Sequence, residues 1–345
     1  MELCLFGITA LEALRASSTR TPGPLTLPKT AQLGRCGVPH LDEAREALGA
    51  LGLSLTEPLH VLVESDAHSH TTTGIVRHIA AALPPRSLIR LSEQVLVPCP
   101  ELCFIQLASQ PELLRAAQLG TPCTPPHERQ QAHPDPLLSE VDLALIGFEL
   151  CGTYAIAPGA PGGFSNTPDS LTSTAALGRF LARASRMRGL PTARDAACQV
   201  LDGAHSPAEA ALALLLCGSR RIGGMGLRGG VCNYRLETPG GPRFVDLAFP
   251  ERDAGLEYQG EAYHQLDRTQ RDDRRQNALA GEGMTILNVW KDDLAQRALF
   301  DKLLRELARL MGVRLRIRSA DFPRRQALLR ARVLPPLQRY DDILF

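Results

Sequence analysis

Residues 243–293 carry the chain's densest set of groups able to do hydrolytic chemistry. The run reads as strand, turn, strand, polar helix, strand. Asp246 interrupts the apolar strand Phe244-Val245-Asp246-Leu247-Ala248-Phe249. An acid there is costly unless it is paired, hydrogen-bonded, metal-bound or turned to solvent. Glu257 lies two residues before Gln259, so strand alternation puts both side chains on one face and Tyr258 on the other. Two carboxylates on neighbouring strands offer hard oxygen ligands to Mg²⁺ (or Mn²⁺), which keeps water and phosphate oxygens in its remaining positions. The expected metal ligands are Asp246 and Glu257, the two carboxylates lying within about 6 Å of each other. Gln259 can neither act as a base nor supply positive charge, so water activation would rest on the metal. His264, seven residues beyond Glu257, is placed for proton transfer or for holding the scissile phosphate. The structural alternatives are an Asp246 on the solvent face, an edge strand with a polar outer side, and a surface histidine.

Other groups extend this set. Ser206-Pro207-Ala208-Glu209 precedes an apolar run and reads as N-cap, N1 proline and capping-box acid. A helix opening there could also turn Glu209 toward the strands. Arg275, Leu279 and Gly283 fall at i, i+4, i+8 of one helical face, with Asp272 three residues before Arg275. The plain reading of that face is a salt-bridged surface helix packed through Leu279.

The order Glu209, Asp246, Glu257-x-Gln259-Gly260, His264, Asp272-x-x-Arg275 with Leu279 and Gly283, then the strand Thr285–Trp290, resembles the Vsr-like branch of the PD-(D/E)XK nucleases. The likeness covers roughly residues 204–312. It implies an α/β fold with a restriction-endonuclease-like core, a mixed sheet flanked by helices. It also implies a metal-dependent DNA endonuclease or nickase, set in bacterial defence, mobile-element biology or DNA repair. Gln259 stands where Asp or Lys is usual, and the Cys/His zinc site of the mismatch-repair members has no counterpart in this region. Upstream, the strands around His60–Val63, Thr71–Ile79 and Ser87–Val97 resemble the middle region of AbiEi-like antitoxin regulators. That likeness implies a partner protein of a defence or toxin–antitoxin system. It also keeps open a non-catalytic DNA-binding regulator.

The elements that must position these groups follow from the rest of the chain. With 345 residues there is room for two or three domains. The pattern divides them into an α/β module over 1–195, a nuclease core over 196–320 and a basic tail over 321–345. A strand is expected at Leu59–Val63. Helices are expected over Pro111–Gln118, Ser139–Glu149, Ser170–Arg188, Thr192–Leu201, Ser206–Cys217 and Asp292–Leu310. The net charge of +1 says little about partners, but from Arg297 onward twelve Lys/Arg face five Asp/Glu. Arg220, Arg221 and Arg228 in a Gly-rich loop, Arg275, and Arg324 with Arg325 are therefore the expected DNA phosphate contacts. The alternative is a solvated helical face.

Nine scattered cysteines fit a reducing cytoplasm better than a disulfide framework. The start of the chain lacks the basic region of a signal peptide, and the run Ala208–Cys217 is too short to span a bilayer. Cys99-x3-Cys103 with Cys123-x3-His127 permits zinc on spacing alone. Burial of these thiols as small apolar residues is the alternative. His60, His68, His70 and His78 cluster in sequence without an acid at a fixed spacing.

Overall fold

The computed structural model describes residues 2–19, 29–34, 36–64, 74–80, 82–121, 135–238, 241–259, 279–281 and 284–341. The chain begins with strand β1 (Leu3–Cys4) and helix α1 (Gly7–Ser18), followed by β2 (Lys29–Thr30) and α2 (Leu41–Gly49). Strands β3 (Leu59–Val63), β4 (Ile75–Ile79), β5 (Leu88–Arg90) and β6 (Val95–Pro98) follow. Then come helices α3 (Pro100–Ala108), α4 (Leu114–Leu119) and α5 (Pro136–Leu150), and a short hairpin of β7 (Tyr154–Ile156) and β8 (Phe164–Asn166). Helices α6 (Thr174–Arg183), α7 (Leu190–Ala197) and α8 (Pro207–Cys217) lead into β9 (Val231–Thr238), β10 (Gly241–Phe249) and β11 (Ala254–Gln259). The chain continues through β12 (Leu279–Gly281), β13 (Met284–Trp290), α9 (Lys291–Ala295), α10 (Arg297–Leu310) and α11 (Phe322–Asp341). The fold class is mixed α/β, as the sequence implies. Among the described residues no helix is long and apolar enough to cross a membrane.

The C-terminal sheet has the order β12-β13-β11-β10-β9. Strands β9, β10 and β11 run as an antiparallel meander, and β13 lies parallel to β11 with Glu257 opposite Asn288. Helix α8 is apolar almost all round, with Ala210 to Leu216 buried, so it is a core helix and not an amphipathic one. Residues of α8, α10 and α11 join those of the upstream helices in one continuous apolar cluster. The segment read as a basic tail is, over Phe322–Asp341, a helix that buries Phe322, Leu329 and Val333.

Helix α5 lies at the centre and buries nearly every side chain, including three acids. Each acid takes an arginine from elsewhere in the chain. Glu149 takes Arg15 of α1, Asp142 takes Arg332 of α11, and Glu140 takes Arg221 of the Gly-rich loop. Charges this deep persist only when paired and hydrogen-bonded, so α5 ties both ends of the chain to one place.

The structure corrects several sequence expectations. The stretch Ser87–Val97 is a hairpin and not one strand. The Ser92 hydroxyl accepts the backbone N–H groups of Gln94 and Val95 and closes the turn between β5 and β6. The single helix expected over Asp292–Leu310 is broken at Gln296, whose backbone is extended. Leu279, expected on a helix, opens β12 and pairs with Ile286. Gly281 and Gly283 are poor helix formers, and the β13 edge offers that backbone a ladder instead. Cys99 caps α3 and Cys103 lies within that helix.

Candidate functional site

Helix α8 starts at Ser206, whose Oγ accepts the Glu209 backbone N–H at 3.2 Å. The Glu209 carboxylate turns back as the capping-box reading requires, but it reaches one residue further. Its Oε2 accepts the His205 N–H at 2.8 Å, and Oε1 accepts the Ser206 hydroxyl at 2.9 Å. Asn233 of β9 donates from Nδ2 to Glu209 Oε2 at 2.6 Å and to the Gly203 carbonyl at 2.9 Å. It does so from a left-handed backbone (φ 48), a conformation that Asn tolerates better than most residues. Capping and orientation toward the sheet thus coexist in Glu209.

The β10–β11 ladder runs from Phe249↔Ala254 to Leu247↔Leu256 and stops there. The next step in that register would set Asp246 opposite Glu257, so the strands part at the two acids. Asp246 Oδ2 enters the gap and accepts the Tyr258 N–H at 2.6 Å. Its other oxygen carries no hydrogen bond among the described residues. The facing of β10 also changes here. A side chain added at Gly255 would meet Val245, which places Val245 on the same face as Ala248, the register partner of Gly255. Asp246 therefore sits at a local twist of the strand, beside the left-handed Asn233 of β9.

Burial raises the Asp246 carboxyl to about 7, and the neighbouring Glu209 and Glu257 charges add to the effect against the Tyr258 hydrogen bond. Glu209 is also raised, chiefly by burial. His205, on the exposed side, is lowered by burial while Asp246 pulls the other way. Glu257 is held by Arg243 at 3.2 Å, and Gln259 donates from Nε2 to Asn288 Oδ1 at 3.0 Å. Among the described residues, the arrangement is a group of carboxylates in which Arg243 pairs with Glu257 and Asp246 is partly protonated at neutral pH.

Glu209, Asp246, Glu257 and Gln259 are thus brought to one end of the sheet. His264 and Arg275 lie outside the described residues. Among the described residues no three His, Cys, Asp or Glu side chains already gather as a metal cage. Sequence reasoning missed His205 and Asn233. Both sit directly beside recognised elements, His205 just before the N-cap of α8 and Asn233 on β9 opposite Asp246. Neither belongs to a spacing motif that would have marked it.

Of the arginines expected on phosphate, Arg221 is engaged with buried Glu140 at 2.6 Å. Arg325 bonds Asp321 at 2.7 Å, and Arg220 donates to the Arg316 carbonyl at 2.7 Å. Arg228 and Arg324 are exposed, as are Arg314, Arg316 and Arg318. Cys99 and Cys103 are buried, and burial pushes both thiols well above their ordinary range. Cys123, His127, His68 and His70 lie outside the described residues.

No family model, no curated protein and no solved structure matches this chain. The functional reading therefore rests on the site.

Glu209→Gln tests the link between the two acids. It keeps the side-chain acceptor at the start of α8 but removes the like charge beside Asp246. The Asp246 carboxyl should titrate at lower pH in the variant, measured by ¹³C-carboxyl NMR. An unmoved titration would place Glu209 in a capping role alone.

Proposed function

We propose that the chain is a metal-dependent DNA endonuclease or nickase of the Vsr-like PD-(D/E)XK kind. One observation carries the reading: β10 and β11 part at Asp246 and Glu257, and the acid that enters the gap is destabilised as an anion. A divalent cation offsets such a deficit of positive charge. The oxygen donors of Asp246, Glu257 and the Gln259 carbonyl suit Mg²⁺ or Mn²⁺. Bound there, the cation would supply an activated water and neutralise phosphate charge. The chain's own part is to hold the ligands. The Tyr258 N–H fixes Asp246, and Arg243 steadies Glu257. Burial, with the Glu209 charge beside it, keeps Asp246 basic enough to share a proton near neutrality. The order α8, Asp strand, E-x-Q strand, parallel strand β13 also supports the reading.

The test is supercoiled plasmid with Mg²⁺ or Mn²⁺, reading nicked and linear product, with Asp246→Ala and Glu257→Ala as controls. Metal-independent product, or product that survives both substitutions, would remove the assignment.

A second reading is a non-catalytic DNA-binding regulator on the same fold. It is favoured by Glu257 being engaged by Arg243 and by Gln259 being tied to Asn288. Both readings predict steep salt dependence of DNA affinity. Neutralising exposed Arg228 and Arg324 should flatten the log–log salt slope by about 0.9 for each duplex phosphate no longer neutralised. Arg221→Gln should instead lower the melting temperature, because it strands buried Glu140. No DNA affinity at low salt would overturn both readings.

A further inference from the structure

A second charged feature lies at the other end of α8 from the acidic cluster. Two stretches of the chain carry arginine and no acid. Residues 218–230 hold Arg220, Arg221 and Arg228, and residues 312–320 hold Arg314, Arg316 and Arg318. Far apart in sequence, they meet in the fold. Arg220 donates from Nη1 to the Arg316 carbonyl at 2.7 Å and from Nε to the Met225 carbonyl at 3.3 Å.

Both stretches are held in place. The loop closes on itself, with the Gly224 N–H on the Ser219 carbonyl at 3.1 Å and the Gly226 N–H on the Gly218 carbonyl at 2.9 Å. It returns to α8 where the Met225 N–H meets the Leu215 carbonyl at 3.0 Å. Gly223 lets it lie against the start of α11, since a Cβ there would sit 2.4 Å from the Arg325 carbonyl oxygen. Residues 313–319 form neither helix nor strand. Val313 and Leu315 pack on the core, whereas Arg314, Arg316 and Arg318 are exposed. That alternation is the period of an extended chain, which sets alternate side chains about 6.6 Å apart on one side. Of the six arginines, Arg221 alone has an ion pair among the described residues, with buried Glu140. Asp321, the next acid along the chain, is taken by Arg325 at 2.7 Å. The face is an ordered row of like charges, and a bound polyanion would relieve their repulsion.

The chemistry of the row selects an occupant. Every cation in both stretches is an arginine. A guanidinium fork meets phosphate oxygens two at a time and sheds water more readily than an ammonium. A regular repeat of such forks suits a polymer with one phosphate per unit. Beside the row one large apolar side chain is exposed among the described residues, Ile317 at 44%, too small a patch to enter a lipid surface. We propose that this face holds a nucleic-acid backbone, independent of base sequence, at the end of α8 away from Asp246. Helix α8 has 11 residues, so its two ends lie about 16 Å apart at 1.5 Å per residue. Grip and hydrolysis then fall to separate parts of the chain. The nature of the polymer rests on the DNA reading given above, whereas the position of the face does not.

Fluorescence anisotropy of the full chain with labelled duplex oligonucleotides, over a salt series and without metal, provides the test. Joint replacement of Arg314→Gln, Arg316→Gln and Arg318→Gln should weaken binding on the order of a hundredfold at about 0.1 M salt and reduce the log–log slope by roughly 2.7. The loss should be equal for two unrelated sequences. Lysine at the same three positions should restore most of the slope, since the charge returns without the fork. The melting temperature should hold, because these three side chains are exposed. Arg228→Gln, on the loop side, should alone reduce the slope by about 0.9, and it decides the matter if the triple variant does not fold. Arg179→Gln with Arg183→Gln and Arg186→Gln, the same charge removed on and just after α6, should leave the slope near that of the wild type. An unchanged slope and affinity in the triple variant, or an equal loss in the α6 control, would overturn this face and leave the nuclease reading standing. No affinity of the wild type for DNA at low salt would overturn both. The expected slope changes without any metal-dependent product would keep the face and remove the nuclease reading alone.

Discussion

Asp246→Asn is expected to abolish Mg²⁺-dependent nicking and to leave the protein as stable as before or more so. A metal ligand lost from a phosphodiester site removes several kcal/mol of transition-state stabilisation, roughly a thousandfold or more in rate. The fold should tolerate the change, because Asn retains an oxygen to accept the Tyr258 N–H that Asp246 now takes at 2.6 Å. The sign of the stability effect follows from the carboxyl's upward shift to about 7. In the unfolded chain Asp246 ionises near its ordinary value, so between roughly pH 4 and 7 the folded state binds the extra proton. Asp246 therefore makes the wild type progressively less stable as pH rises through that window, and the deficit stays constant above it. Asn has no such penalty, so at pH 8 the variant should melt at or above the wild-type temperature. DNA affinity should hold or tighten, since a negative charge near phosphate has gone. Mg²⁺ binding to the wild type should release protons at about pH 6–7, measurable by calorimetry in buffers of different ionisation enthalpy. Nicking at the wild-type rate in Asp246→Asn would end the proposed mechanism.

The acids were legible in the sequence for a simple reason. A charged residue within Phe244–Phe249 violates the apolar pattern around it, and such violations gather at sites. Glu257 and Gln259 were legible as a pair because strand alternation fixes which residues share a face. The parting of β10 from β11 was not legible. It depends on Asp246 taking a backbone N–H across the sheet and on Asn233 adopting a left-handed backbone, neither of which leaves a periodic trace. Helix α8 was found from its cap, since Ser206, Pro207 and Glu209 are local signals. The hairpin within Ser87–Val97 was missed because the Ser92 side chain closes the turn without a glycine or proline there. The acids of α5 were passed over for a different reason. Glu140, Asp142 and Glu149 have partners 81, 190 and 134 residues away, and no window of sequence contains both members of such a pair.

Glu149→Ala should destabilise the protein by about 3–5 kcal/mol, the usual cost of stranding one member of a buried ion pair. The pair is bidentate. Arg15 Nε and Nη2 each reach a Glu149 oxygen at 2.7 Å, and the side chains are only 8% and 3% exposed. With the carboxylate gone, the Arg15 guanidinium cannot shed its charge, because arginine does not deprotonate in this pH range. It must draw water inward or pull α1 away from α5. Arg15→Met should destabilise the protein as well, because it strands the buried Glu149 carboxylate. Joint replacement, Arg15→Met with Glu149→Leu, removes both charges and should restore most of the loss. Recovery should remain incomplete by about 1–3 kcal/mol, since Glu149 Oε1 also accepts the Ile156 N–H at 2.9 Å and that donor would be left buried and unpaired. Thermal melts of Arg15→Met, Glu149→Leu and the double variant measure the coupling directly. Equal melting temperatures for Glu149→Ala and the wild type would mean that the pair does not hold α1 against α5, and the anchoring role assigned to the α5 acids would fall with it.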